Sequence, residues 1–202
     1  MEQSMEKNKR KFYIFGSGGH AKSCIDVIES NNLNKIVAVI FKKKRPSDPY
    51  FSKYKLINEN KLYGNYKNLN ALIGIGQIKT NTPRKEVFKL IKKKKFKLTP
   101  VISTTAFVSK TSKINEGTIV MHTTYIGPNA SVGRNCIINT GSIIEHDVKI
   151  GNHCHIATGC KINGNVSISK NCFIGSGTII KEGVKIQSGK IIPMGSVIKK
   201  NV

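Results

Sequence analysis

The sequence predicts two fold classes in one chain: an α/β domain over residues 1–99 and an all-β coil over residues 100–202. Three observations carry this. From Ile102 to Ile198 every sixth residue is Ile or Val, seventeen positions without a break. Four residues after each stands a small or branched residue, from Ala106 through Cys136, Ser142 and Cys172 to Ser196, with Lys190 the one departure. Before residue 100 the pattern is different: short apolar runs, a glycine-rich turn and amphipathic stretches.

A strict period of six fits neither the 3.6-residue face of a helix nor the two-residue alternation of a strand. It fits a parallel β-helix of hexapeptides, each forming one short side with its branched residue aimed at the axis. Branched side chains suit that place because they are stiff at χ1 and stack well between strands. The second column marks the corners, where a small side chain turns inward. Three sides make an 18-residue coil, so the segment holds a little over five coils.

In the first half, residues 1–10 are polar and expected to be loose. Phe12–Phe15 reads as a strand, Gly16–Ala21 as a turn, and the stretch to about Asn31 as a helix. Ile36–Phe41 and Leu72–Ile75 read as further strands, with residues 42–70 mostly loop. From Arg84 to Lys95, Val87, Phe88, Leu90 and Ile91 share a helical face, and Lys92–Lys95 suit that helix's C-terminal end. Strand–helix alternation implies a small parallel sheet covered by helices.

The net charge is +23. An acidic partner is its first physical explanation, but Lys, Asn and Ile abound everywhere, which points to compositional bias. Four of the five cysteines lie on the inward column and read as buried small residues rather than as a disulfide or metal framework. Met1–Lys11 has no apolar core for a signal peptide, and no run approaches the ~20 apolar residues of a membrane span. A cytoplasmic protein is expected. A nucleic-acid-binding role lacks support, since no aromatic interleaving or reading motif accompanies the charge.

Two places carry chemistry. Gly16-Ser17-Gly18-Gly19-His20-Ala21 matches a phosphate-cradling turn, in which glycine lets an anion approach the backbone and the helix start offers free N–H groups. The bland alternative is a sharp turn without a ligand; His20 and nearby lysines favour phosphate. The second predicted strand ends in Phe41-Lys42-Lys43, with no carboxylate for a ribose diol, which argues against a nicotinamide dinucleotide. The other place is Glu145-His146-Asp147, where either carboxylate can orient the imidazole. His122 and His153 read as solvated surface residues. A zinc site is the competing reading of the histidines, but they scatter around the coil and no fourth ligand presents itself, so no metal is expected. His146 and His155 are nine residues apart, half a coil, so they converge only if a second copy supplies one of them. Gly164 lies one coil on from His146, where its N–H can face the same cleft.

Phe15–Lys22, Leu72-Ile-Gly-Ile-Gly76 and Asn139–Asp147 resemble the hexapeptide-repeat sugar acyltransferases, in the NeuD/PglD-like branch. The resemblance covers nearly the whole chain. It implies a Rossmann-like N-terminal domain that binds a nucleotide-linked sugar, then a left-handed β-helix, an exception to the usual crossover hand. It further implies a homotrimer using acetyl-CoA as co-substrate. On the family's motif His146 is the general base and Asp147 its orienting carboxylate. His155 falls beside the acetyl carbonyl, Gly164 supplies a backbone donor, Asn139 lies near the acceptor, and Gly16–His20 hold the nucleotide. Two features depart from the pattern. Phe41-Lys42-Lys43-Lys44 stands where acidic residues often follow the second strand, and the common Gly-x-Pro-Ala-Lys tail is not seen after the last repeat.

The leading expectation is N-acetylation of a nucleotide-linked 4-amino-4,6-dideoxy sugar for a surface glycan. An ammonium must lose its proton before nitrogen attacks a thioester, and histidine is suited to take it. O-acetylation of sialic acid or a related nonulosonate is the enzymatic alternative. A non-catalytic trimeric scaffold or a basic nucleic-acid-binding protein is the alternative of another class.

Overall fold

The computed structural model describes residues 10–32 and 34–202. The polar stretch expected to be loose lies outside them, apart from Arg10. The chain forms two compact units: Met1–Gly76 with Thr82–Thr99, and Gln77–Asn81 with Pro100–Val202.

In the first unit, β1 (Arg10–Phe15), β2 (Asn34–Phe41), β3 (Leu56–Asn58) and β4 (Asn70–Ile73) form a parallel sheet in the order β3-β2-β1-β4. Phe12, Ile14, Phe15, Val39, Ile40, Leu72 and Ile73 are all buried, as expected of strands covered on both faces. Helix α1 (Gly19–Glu29) buries Ala21, Cys24, Ile25 and Ile28, a spacing of three and four that makes one apolar stripe. Helix α2 (Thr82–Lys93) buries Val87 and Ile91 as its pattern predicts, and also Arg84. That guanidinium is fully buried and donates through one nitrogen to the carbonyls of Ile73 (2.7 Å) and Ile75 (2.9 Å), closing the end of β4.

The stretch 42–70 is more ordered than its composition suggests. It contains β3 and two 3-10 turns, Pro49–Phe51 and Glu59–Lys61, started by Asp48 and Asn58 side chains that accept from backbone N–H groups. The reason is local side-chain-to-backbone bonding, which periodicity does not register.

In the second unit, seventeen two-residue strands from Val101–Ile102 to Val197–Ile198 stack into three parallel sheets of five, six and six strands. Each strand pairs with those 18 residues away, for example Ile144 with Ile126 and Ile162. The Ile/Val column fills the interior from Val120 to Ile192, and each fully buried side chain contributes about 1.5–3 kcal/mol. The corner column is buried too from Thr118 to Val184, and its hydroxyls find carbonyls in the facing turn. Ser142 Oγ donates to Ala157 O (2.8 Å) and Thr118 Oγ1 to Gly133 O (2.7 Å). All five cysteines are buried and unbridged.

Each corner from residue 117 to residue 195 also holds a left-handed residue, three positions after the inward aliphatic. These are Gly, Asn, Asp, His or Thr, and they include Asp147 and His153, both at φ 59°. Short polar side chains and glycine tolerate this conformation. The outer faces differ. The five-stranded sheet presents Lys113, Ser131, Lys149, Ser167 and Lys185. One six-stranded sheet presents an apolar stripe: Phe107, Tyr125, Ile143, Ile179 and Val197, interrupted by Lys161, with the Phe107 and Tyr125 rings stacked at 5.4 Å.

Candidate active site

His146 stands at a corner, just after the strand Ile143–Ile144. Its Nδ1 lies 2.8 Å from Asp147 Oδ2. A carboxylate accepts, so Nδ1 carries the proton and Nε2 is left with its lone pair. Glu145 plays no part in this bond; the left-handed turn at residue 147 makes Asp147 the orienting group. The Asp147 carboxyl is held below its ordinary range, first by the bond from His146 and then by Asn129 Nδ2 at 3.4 Å. Both dyad members are largely exposed.

Gly164 lies against the imidazole. A Cβ there would come within 2.6 Å of both Cε1 and Nε2 of His146. Its glycine identity is therefore a packing requirement of the ring, since its backbone is not in the left-handed region.

His155 belongs to the other six-stranded sheet, across the coil from the His146 corner. It is 6% exposed, with its ring edge-on to Phe173 at 5.2 Å. Nδ1 donates to the carbonyl of Gln77 at 2.5 Å. Asn139 Oδ1 accepts from Thr140 N–H, so its amide nitrogen faces His155 Nε2 at 3.3 Å. His155 is thus fixed as the Nδ1–H tautomer with Nε2 accepting. Gln77 is seated by its own amide, which donates to His153 O (2.9 Å) and Cys172 O (3.4 Å). The structure therefore brings His146, Asp147 and Gly164 together, and Asn139 with His155, but does not join these two groups within one chain. His122 and His153 are half-buried rather than solvated. His122 Nδ1 meets Ser103 Oγ at 2.7 Å and His153 Nδ1 meets the Asn135 amide at 2.9 Å.

In the first unit the turn after β1 has Gly16 at φ 123°, where a Cβ would strike Gly74 O at 2.7 Å. Ser17 follows, and Gly18 caps α1 without a side-chain bond or an acidic residue in the first turn. At Gly18 and Gly19 an added Cβ would meet nothing within 4 Å, so intrachain packing demands neither glycine. His20 turns its Nε2 to Cys24 Sγ at 3.4 Å. Burial pushes that thiol up to about 12, so it stays protonated beside the ring. A cavity of about 210 Å³ opens at the carboxyl ends of β1, β2 and β4, lined by Phe15, Gly16, Ser17, Ile40, Phe41, Lys42, Glu59, Ile75 and Val87. Open parallel sheets bind ligands at this edge. Sequence patterning singles out neither Glu59 nor Gln77, because both sit in stretches without periodic signal.

Comparison with known proteins matches residues 11–91 to the PglD N-terminal domain, residues 131–164 to bacterial transferase hexapeptide repeats, and residues 165–200 to the hexapeptide repeat of succinyl-transferase. The chain thus carries a PglD N-terminal domain followed by bacterial transferase hexapeptide repeats, the arrangement of the NeuD/PglD-like acyltransferases. No curated protein sequence matches it. Among solved structures, this acyltransferase superposes on the acetyltransferase domain of PglB from Neisseria gonorrhoeae FA1090 with TM-score 0.85 and 23% identity, covering 96% of this chain and 93% of that one. WeeI from Acinetobacter baumannii AYE gives TM-score 0.84 and 22% identity, over 96% and 93%. PerB from Caulobacter crescentus, in complex with CoA and GDP-perosamine, gives 0.80 and 25%, over 95% and 90%. The shared fold of the acyltransferase is a Rossmann-like domain followed by a left-handed parallel β-helix. Among the described residues no helix is long and apolar enough to cross a membrane.

Proposed function

We propose that this acyltransferase N-acetylates a nucleotide-linked 4-amino-4,6-dideoxy sugar with acetyl-CoA as donor, working as a homotrimer. The observation that carries the proposal is the dyad: His146 is held by Asp147 with an unprotonated Nε2 turned outward beside Gly164. Nε2 takes a proton from the attacking amine, and Asp147 stabilises the imidazolium that forms. Gly164 N–H is assigned to the oxyanion of the thioester carbonyl. His155 and Asn139 are assigned to the acetyl and acceptor side of the same centre, contributed by a neighbouring copy because one chain keeps them across the coil. In the tautomer that Gln77 dictates, His155 Nε2 accepts, so a bond to a carbonyl requires a second ring proton.

Support comes from three further features. The apolar stripe from Phe107 to Val197, exposed at Phe107, Ile179 and Val197, flanks the His146 corner and suits an interface between copies. The lysine-bearing sheet on the other side of that corner suits the phosphates of CoA. The glycine turn Gly16–His20, with open space above Gly18 and Gly19, suits the diphosphate of the acceptor. PerB, alike in fold, is in complex with CoA and GDP-perosamine, which supports the same two ligand classes for this chain.

The test is CoA release by purified protein, with amino-sugar nucleotides and nonulosonates as separate acceptors. The expected result is turnover with the amino sugar only, falling by roughly 10²–10⁴ in His146→Ala while the trimer persists. Release with the nonulosonate alone overturns the assignment, as does unchanged turnover in His146→Ala.

A further inference from the structure

Within that proposed function, which this inference rests on, the cavity of the first unit carries information about the nucleotide itself. Its walls are mostly apolar: Phe15, Ile40, Phe41, Ile75 and Val87. At about 210 Å³ it has room for a flat nucleobase but not for a whole sugar nucleotide. Two charged residues line it, Lys42 and Glu59. They are differently engaged. Lys42 Nζ lies 3.5 Å from Glu86 Oε2. Among the described residues the Glu59 carboxylate makes no ion pair and no hydrogen bond; only its backbone oxygen is used, by Leu62 N–H. In a chain with three basic residues for every acidic one, an uncommitted carboxylate beside an apolar cavity is conspicuous.

Glu59 reaches this place because β3 pairs parallel with β2, Val39 to Leu56 and Phe41 to Asn58, so the 3-10 turn after β3 arrives level with the end of β2. An acidic group thus returns to the region where Phe41-Lys42-Lys43 has none, but one strand further from the glycine turn.

We infer that Glu59 is the base-reading residue and that the preferred nucleotide is a guanine nucleotide. A carboxylate only accepts, so it rewards two adjacent donors. Guanine offers N1–H and the 2-amino group side by side and can be held in bidentate fashion. Uracil presents one N–H flanked by two carbonyl oxygens, both of which repel a carboxylate. Adenine and cytosine present a single amino group next to a ring nitrogen that is itself an acceptor.

Calorimetric titration of the full-length protein with GDP, IDP and UDP tests this. GDP binds at least tenfold more tightly than UDP, and IDP, which lacks the 2-amino group, falls between. Glu59→Gln weakens GDP by roughly tenfold to hundredfold, the scale of a hydrogen bond to a charged group, and leaves UDP within about twofold. Glu86→Gln, which releases Lys42 but leaves Glu59, keeps the GDP preference; thermal melts of both variants confirm folding. Equal GDP and UDP affinities, or GDP binding unchanged in folded Glu59→Gln, overturns the assignment of Glu59 while leaving the nucleotide site intact. Absence of binding by every diphosphate overturns the nucleotide site as well.

Discussion

Gly164→Ala isolates the packing beneath the His146 imidazole, the proposed base. A Cβ at this position would sit 2.6 Å from Cε1 and Nε2 of His146, whereas ordinary contact begins at 3.4 Å, so the ring must retreat by roughly 1 Å. The atom it meets is the far end of an exposed side chain, and the backbone at Gly164 is not left-handed, so the coil itself is not strained. Misplacing a reacting group by about 1 Å costs on the order of 10²-fold in rate. Steady-state kcat for acetyl transfer should therefore fall by about that factor, with an unchanged melting temperature. The decisive measurement is the double variant. In a His146→Ala background the ring is gone, and adding Gly164→Ala should cost nothing further. Wild-type kcat in Gly164→Ala refutes the argument. A loss that persists undiminished in the double variant would mean that the methyl obstructs CoA or the acceptor instead.

Asp147→Asn should lower kcat about tenfold to hundredfold, less than at a buried triad carboxylate because this dyad is solvent-exposed. Asparagine fits the left-handed corner, as Asn129 and Asn165 do one coil away on either side at φ 59° and 57°. The depressed pKa of Asp147 gives a sign: its contribution is full above the ordinary carboxylate range and is lost as pH falls through its lower folded value. The Asp147 contribution to kcat/KM, read as the difference between the wild-type and Asp147→Asn pH–rate profiles, should therefore persist down through the ordinary carboxylate range; its loss above that range would remove Asp147 from this role. Ile179→Glu, in the apolar stripe, should shift the mass seen by light scattering from trimer to monomer and abolish turnover. Gly175→Ala meets backbone rather than side chain, with its methyl driven into the peptide at Pro193 and Met194, so denaturant melts should show about 1–3 kcal/mol of destabilisation.

A repeat of six is a signal along the chain, so the column of aliphatics, the small corners and the 18-residue coil are all legible in the residues alone. So is the stacking of Gly164 on His146, one coil apart. The left-handed corners are visible too, as Gly, Asn or Asp three places after most of the aliphatics, but only the winding gives that residue type its meaning.

Tertiary structure decided what periodicity cannot express. The turn at residue 147 selected Asp147 over Glu145 as the partner of His146. The carbonyl of Gln77, distant in sequence, set the tautomer of His155. Parallel pairing of β3 with β2 carried Glu59 out of an irregular stretch to the edge of the cavity. Repetition lets local sequence specify local structure, because every coil meets the same neighbours. A proton's position or a carboxylate's neighbour depends on residues that meet only once, and only folding brings them together.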